Sequence, residues 1–231
     1  MQFMRQKPIV GLSILRLVQY QDHLGQPEKP KELEYWEQFV SKFFSPDGVL
    51  RQQFVDVEKG NDKTYRIEYF SLPRFYQAHF RGGIKQISMS TLQANENNLP
   101  TGGHTVFCRT ATTTYIYNND NTVVTSGQVR VNFDADNRIE LLDISTTKWV
   151  EYIPRRSLQQ PEILQDQKQS PKITKTLKRP SKSVPAASSH PSLNIPETKV
   201  GGYGIPDALQ AFLEVQSLNS PFGASANAYT R

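Results

Sequence analysis

One cysteine, Cys108, stands in 231 residues. That scarcity excludes an internal disulfide framework and any cysteine-rich zinc site. No apolar run is long enough to cross a membrane, since the longest near the start, Ile9 to Val18, is broken by Arg16 and has no small-residue cleavage site after it. Secreted and membrane roles are therefore set aside, and an intracellular, reducing compartment is expected. Hydrophobic residues make up 37% of the chain. This share supports a core but falls below the usual globular level, so part of the chain is expected not to pack.

Basic charge is also missing from most of the chain, despite a net +5 and a pI of about 9.2. Nine Lys/Arg against three acids fall between Arg155 and Lys199, leaving eighteen basic and nineteen acidic residues elsewhere. The folded part is close to neutral and has no global attraction for phosphate. No direct, sequence-specific DNA contact is expected.

Periodicity places a first helix over Val10, Ile14, Leu17, Gln21 and Leu24, stopped by Gly25 and Pro27. A second starts at Pro30 and carries Leu33, Trp36, Phe39, Val40 and Phe43 on one face. Ser45-Pro46-Asp47-Gly48 reads as a turn, followed by strands over about Val49–Val57 and Thr64–Ser71. Leu72–Gly83 reads as a short helix, opened by proline and closed by glycine. Four further strands are expected at Ile84–Leu92, Thr105–Tyr117, Thr122–Asp134 and Arg138–Ile153, with Gln93–Gly103 as a polar loop. Short polar connections imply antiparallel pairing. The order α-α-β-β-α-β-β-β-β predicts an α+β domain with helices packed on one face of the sheet.

The character changes after Pro154-Arg155-Arg156. Gln159–Lys199 is rich in Pro, Ser, Lys and Gln, lacks aromatics, and is expected to be disordered. Pro206 and Asp207 then open a short helix bearing Leu209, Phe212, Leu213 and Val215. It is too short to stand alone in water, so these side chains are expected to anchor a partner or the domain itself.

Three spaced motifs resemble the LIM-domain-binding family of nuclear adaptors, which includes animal LDB/Chip, plant SEUSS and fungal relatives. They are Leu33-Glu34-Tyr35-Trp36 through Phe43-Phe44, Leu72-Pro73-Arg74-Phe75-Tyr76 with Phe80-Arg81-Gly82-Gly83, and Arg138-Ile139 through Ile153-Pro154-Arg155-Arg156-Ser157-Leu158. They occur in family order, within a resemblance covering roughly Gly11–Leu158; the chain looks like a fungal-type member. The resemblance implies a cone-shaped fold of the nuclear-transport-factor/ketosteroid-isomerase kind, used for self-association. More weakly, Tyr203–Leu218 resembles the family's helix that docks LUFS-domain or single-stranded-DNA-binding-protein partners. The family's LIM-gripping segment has no counterpart within these 231 residues.

The expected organisation is a dimerisation domain over 1–158, a basic linker over 159–199 and a partner-docking helix with a flexible tail over 200–231. The function expected is that of a non-enzymatic transcriptional co-regulator in the nucleus. It would form a homodimer or homo-oligomer and bridge DNA-bound transcription factors to co-regulators, without cofactor or metal. The alternative is a cone-fold enzyme or small-ligand carrier. Against it, His23, His79, His104 and His190 show no metal-ligand spacing, and no Ser or Cys stands in a nucleophile setting. An interior filled by Trp36, Phe39 and Phe133 would favour the adaptor, whereas an open one lined by acid/base groups would favour the enzyme.

Strand Arg138–Ile153 carries apolar residues on both faces. Ile139, Leu141 and Trp149 alternate against Leu142, Ile144, Val150 and Tyr152. With helices covering only one sheet face, the second set is assigned to the dimer interface, the alternative being a bulge near Leu141-Leu142. Lys175, Lys178, Arg179 and Lys182 form a basic cluster that reads either as a solvated linker or as a nuclear-import signal.

Overall fold

In the computed structural model, the residues described are 11–55, 60, 62–158 and 200–219. They comprise the helices α1 (Leu12–Gly25), α2 (Leu33–Phe43), α3 (Leu72–Arg81) and α4 (Asp207–Asn219). The strands are β1 (Phe44–Phe54), β2 (Lys63–Glu68), β3 (Ile84–Asn98), β4 (His104–Tyr117), β5 (Thr122–Phe133) and β6 (Ile139–Tyr152). All six form one sheet in the order β2-β1-β6-β5-β4-β3. The chain divides into two compact units, one of Met1–Tyr152 with Lys199–Arg231 and one of Ile153–Thr198. The described part of the second unit is short and contains the 3-10 turn Arg155–Leu158. The linker assigned to 159–199 and the candidate import residues Lys175, Lys178, Arg179 and Lys182 lie outside the described residues.

The aromatic stripe of α2 builds the core. Trp36 stacks on Tyr76 and Phe80 of α3 at 5.4 and 5.3 Å between ring centres, and Phe39 meets Tyr20 of α1 at 5.5 Å. Trp36 and Phe43 are wholly buried, each contributing on the order of 2–3 kcal/mol of apolar burial. The sheet's inner face supplies Leu50, Ile67, Val106, Cys108, Val129, Val131, Phe133, Ile139 and Leu142. Helices on one face of a sheet make the α+β architecture that the element order and the cone-shaped resemblance both implied.

Several boundaries differ from the sequence reading, each for a local reason. Pro46-Asp47-Gly48 does not end in a turn but forms an irregular stretch inside β1, where the register with β6 shifts between Phe44 and Val49. A Cβ on Gly48 would lie 2.7 Å from the Ile139 carbonyl oxygen, so glycine permits that close approach. β3 continues to Asn98, and the expected loop shrinks because Ala94 to Asn98 pair on with Cys108 to His104 of β4. Polarity misled there: β3 is an edge strand whose far half is solvated. The sheet is also mixed, because β1 runs parallel to β6 while every other neighbouring pair is antiparallel.

Candidate functional site

Three regions of the first unit bear on function: the outer sheet face, the C-terminal helix and the sheet's enclosed interior. The assignment of the two faces of β6 needs correction. Pairing with β5 shifts between Asn132 and Phe133, so that Phe133 opposes Ile139 while Asn132 opposes Leu141, leaving Glu140 as an extra residue. This bulge flips the alternation. Leu142 and Ile144, expected at a dimer interface, turn inward instead: Leu142 is fully buried, and Ile144 packs against the core. A second shift between Ser126 and Gly127 leaves Thr147 unpaired and flips the strand again. Trp149 consequently faces inward opposite Thr125, while Val150 and Tyr152 face outward opposite Val124 and Thr122.

Of the four assigned interface residues, Val150 and Tyr152 remain on the outer surface, 37% and 58% exposed. Around them the outer face is rich in hydroxyls, including Thr112, Thr114 and Ser126. A polar row crosses the same face. Arg51 donates to both oxygens of Asp143, from Nε at 3.0 Å and Nη2 at 2.5 Å, and Arg130 lies over the Phe107 ring at 5.6 Å.

The C-terminal segment folds onto its own domain. Val200 bridges to Pro206, and the Gly201 N–H donates to the Ile205 carbonyl at 2.7 Å, closing a tight turn. Tyr203 stacks on Phe54 at 4.7 Å, and the Trp149 Nε1–H donates to the Gly202 carbonyl at 3.1 Å. Pro206 then leads into α4, which presents Leu209 and Leu213 to α3 and β2. Both are buried, so these two assigned partner-docking residues anchor the helix to its own domain. Glu214 fixes the side of the helix by accepting from Lys63 Nζ at 2.6 Å and the Tyr65 hydroxyl at 2.7 Å. Those donors hold the Glu214 carboxyl below its usual range. What remains outward is Val215, 54% exposed, with Ala208 and Ala211 beside it and Phe212 half-buried. The 3-10 turn Tyr69–Ser71 that leads into α3, tied to α4 by a 3.2 Å hydrogen bond from Ser71 Oγ to Gln216 Oε1, carries Phe70 at 74% exposure. The sequence places Phe70 in the strand Thr64–Ser71 with no site role, whereas β2 ends at Glu68 and the 3-10 turn carries Phe70 to the surface.

Trp36, Phe39 and Phe133 are buried, and the interior retains a cavity of only about 40 Å³. Its polar lining comes from Tyr20, Tyr76, His79, Tyr115 and Gln52, with threonines from the sheet. The Tyr20 and Tyr76 hydroxyls bond each other at 2.9 Å, and burial pushes both phenols upward. Burial also holds the His79 imidazole down at about 4. His104 begins β4, its Nδ1 3.5 Å from Glu96 Oε1, and His23 Nε2 accepts from Lys42 Nζ at 2.7 Å. Among the described residues no group of three or more His, Cys, Asp or Glu is placed to hold a metal ion. No described helix is long and apolar enough to cross a membrane.

Among solved structures, an NTF2-like protein from Exiguobacterium is similar at 13% identity and a TM-score of 0.37, covering 57% of this chain and 96% of that one. A hexachlorocyclohexane dehydrochlorinase is similar at 7% identity and a TM-score of 0.43, covering 61% and 87%. Likeness at this level says nothing about activity. Curated relatives are nearer in sequence. The transcriptional activator ptaB of Aspergillus fumigatus is 39% identical over 208 residues, which cover 89% of this chain and 28% of the relative. Adhesion defective protein 1 of Schizosaccharomyces pombe is 26% identical over 220 residues, covering 90% and 56%. The chain thus spans about a quarter and just over half of these relatives' lengths. The family model for LIM-domain binding protein matches residues 15–221, taking in α2, α3, the whole sheet and α4. On that match the chain belongs to the LIM-domain binding protein family.

Proposed function

We propose that this chain is the self-associating core of a non-enzymatic transcriptional co-regulator that acts in the nucleus. It bridges DNA-bound transcription factors to partner proteins and contacts DNA only through them. The observation that carries this reading is the 39% identity to a transcriptional activator over 208 residues, 89% of the chain. Such a scaffold works through effective concentration: two linked arms make the second encounter intramolecular.

Self-association is assigned to the outer sheet face around Val150 and Tyr152, the exposed apolar members of the original interface set. The partner surface is assigned to the outward side of α4, where Val215 stands exposed, with the exposed Phe70 as a second apolar element, while Phe212 packs toward Phe75 of α3. LUFS-domain or single-stranded-DNA-binding-protein-like co-regulators are the partners proposed. Catalysis on a small substrate inside the cone fits poorly, because its cavity of about 40 Å³ is far below the few hundred Å³ of ordinary ligand pockets.

The test is a reporter assay with the full chain tethered to a DNA-binding domain, alongside light scattering of the purified protein. Activation or repression together with a dimeric or larger mass is expected. A monomer without effect on the reporter would overturn the proposal.

A further inference from the structure

The interior cavity concentrates hydrogen-bonding groups in an otherwise apolar core. His79 extends its Nδ1 to the Phe75 carbonyl oxygen at 2.9 Å. A carbonyl only accepts, so Nδ1 carries the proton and Nε2 presents a lone pair. Gln52 uses its Nε2 to donate to Thr146 Oγ1 at 3.3 Å, which leaves Oε1 as an acceptor. Tyr115 lies against the His79 ring at 5.9 Å between centres, nearly parallel to it, and its hydroxyl is a donor. Among the described residues no protein hydrogen bond reaches His79 Nε2, Gln52 Oε1 or the Tyr115 hydroxyl, and all three residues line the cavity. Buried polar atoms of this kind are nearly always satisfied, by protein or by ordered solvent. The cavity of about 40 Å³ has room for roughly two or three water molecules and little else.

We propose that this cavity is an internal solvent site, binding a short chain of ordered waters that joins His79 Nε2, the Tyr115 hydroxyl and Gln52 Oε1. The waters donate to the two acceptors and accept a hydrogen bond from the tyrosine hydroxyl, so every group in the set is served. They also tie α3 to β1 and β4 through a medium that adapts to small shifts between helix and sheet. The site selects water by size and by its polar lining; an apolar cavity of similar volume would stay dry.

Crystals of the full chain, grown with and without xenon under pressure, test this directly. Density for water within hydrogen-bonding distance of His79 Nε2 is expected, with no xenon in the cavity. Xenon uptake there, a cavity closed by a rearranged side chain, or a larger molecule in it would overturn the proposal. Nitrogen NMR of the same protein is expected to show His79 protonated on Nδ1 with Nε2 accepting a bond, and the opposite tautomer would count against it. Tyr115→Phe should lose the water bound at its hydroxyl and keep the one at His79. If that variant fails to fold, the wild-type crystals and spectra still decide.

Discussion

Gly204 lies so close to Trp149 that a single methyl group would not fit between them. A Cβ on Gly204 would stand 2.7 Å from the Trp149 Cγ, and the glycine holds a φ of +72°, which side chains rarely adopt. The indole therefore packs on bare backbone while its Nε1–H holds the Gly202 carbonyl. Gly204→Ala adds strain and a clash together, at about 1–3 kcal/mol for the overpacking alone. Faster hydrogen exchange across α4 is expected, with the sheet unchanged. Equal loss of protection in β5 would show that the turn supports the whole domain.

The two sides of α4 should separate by mutation. Leu213→Asp buries a charge without a partner and is expected to release the helix from the domain. Protease sensitivity at residues 207–217 reads that release. Val215→Asp lies on the exposed side and should leave melting within about 0.5 kcal/mol of wild type while abolishing partner recovery. Retained partner binding in Val215→Asp would remove α4's outward face from the proposal.

A similar split applies to β6. Leu142→Glu introduces a carboxylate into the core and is expected to unfold the chain. The double change Val150→Glu with Tyr152→Glu should give a folded monomer by light scattering with an unaltered circular dichroism spectrum. A surviving dimer would move self-association elsewhere on the surface.

His79 makes stability depend on pH. Its folded pKa of about 4 lies below the ordinary 6.5, so the neutral form is the native one. The stabilisation is complete above pH 6.5 and is lost as pH falls toward 4, where the unfolded chain binds the extra proton. Between pH 7 and pH 4.5 the loss is about 2–3 kcal/mol. In urea titrations, His79→Gln should flatten this part of the profile. An unchanged slope would assign the acid sensitivity to other groups.

The helices were the most legible part of the sequence. In α2 the spacing of Trp36, Phe39, Val40 and Phe43 is helical and nothing else, because all four face one core. The meander strands were legible for the same reason. The faces of β6 were half legible: apolar residues on both sides allowed a bulge near Leu141-Leu142, which Glu140 supplies, whereas Thr147 reverses the parity again without any mark in composition. The parallel pairing of β1 with β6 has no local signal either, because it joins segments that share no turn. The destination of α4 was half legible. Its apolar residues required a surface, but only the packed structure distinguishes Leu209 and Leu213, on the domain, from Val215, facing away. The cavity gave no signal, since His79 and Tyr115 belong to separate elements.

The parallel pairing of β1 with β6 also orders events in time. Ser45 Oγ reaches the Ile139 carbonyl across 94 residues of chain, and the Tyr65 hydroxyl reaches Glu214 across 149. Contacts of such separation form late, after the loops between them have been closed. On the ribosome, α2, β1, β2 and α3 emerge with their aromatic face ready but no sheet to lie on until β6 has been made. Until then one edge of β1 is an open template for strand pairing. The growing chain is thus at its most vulnerable to aggregation, and most dependent on chaperones, during synthesis of the meander.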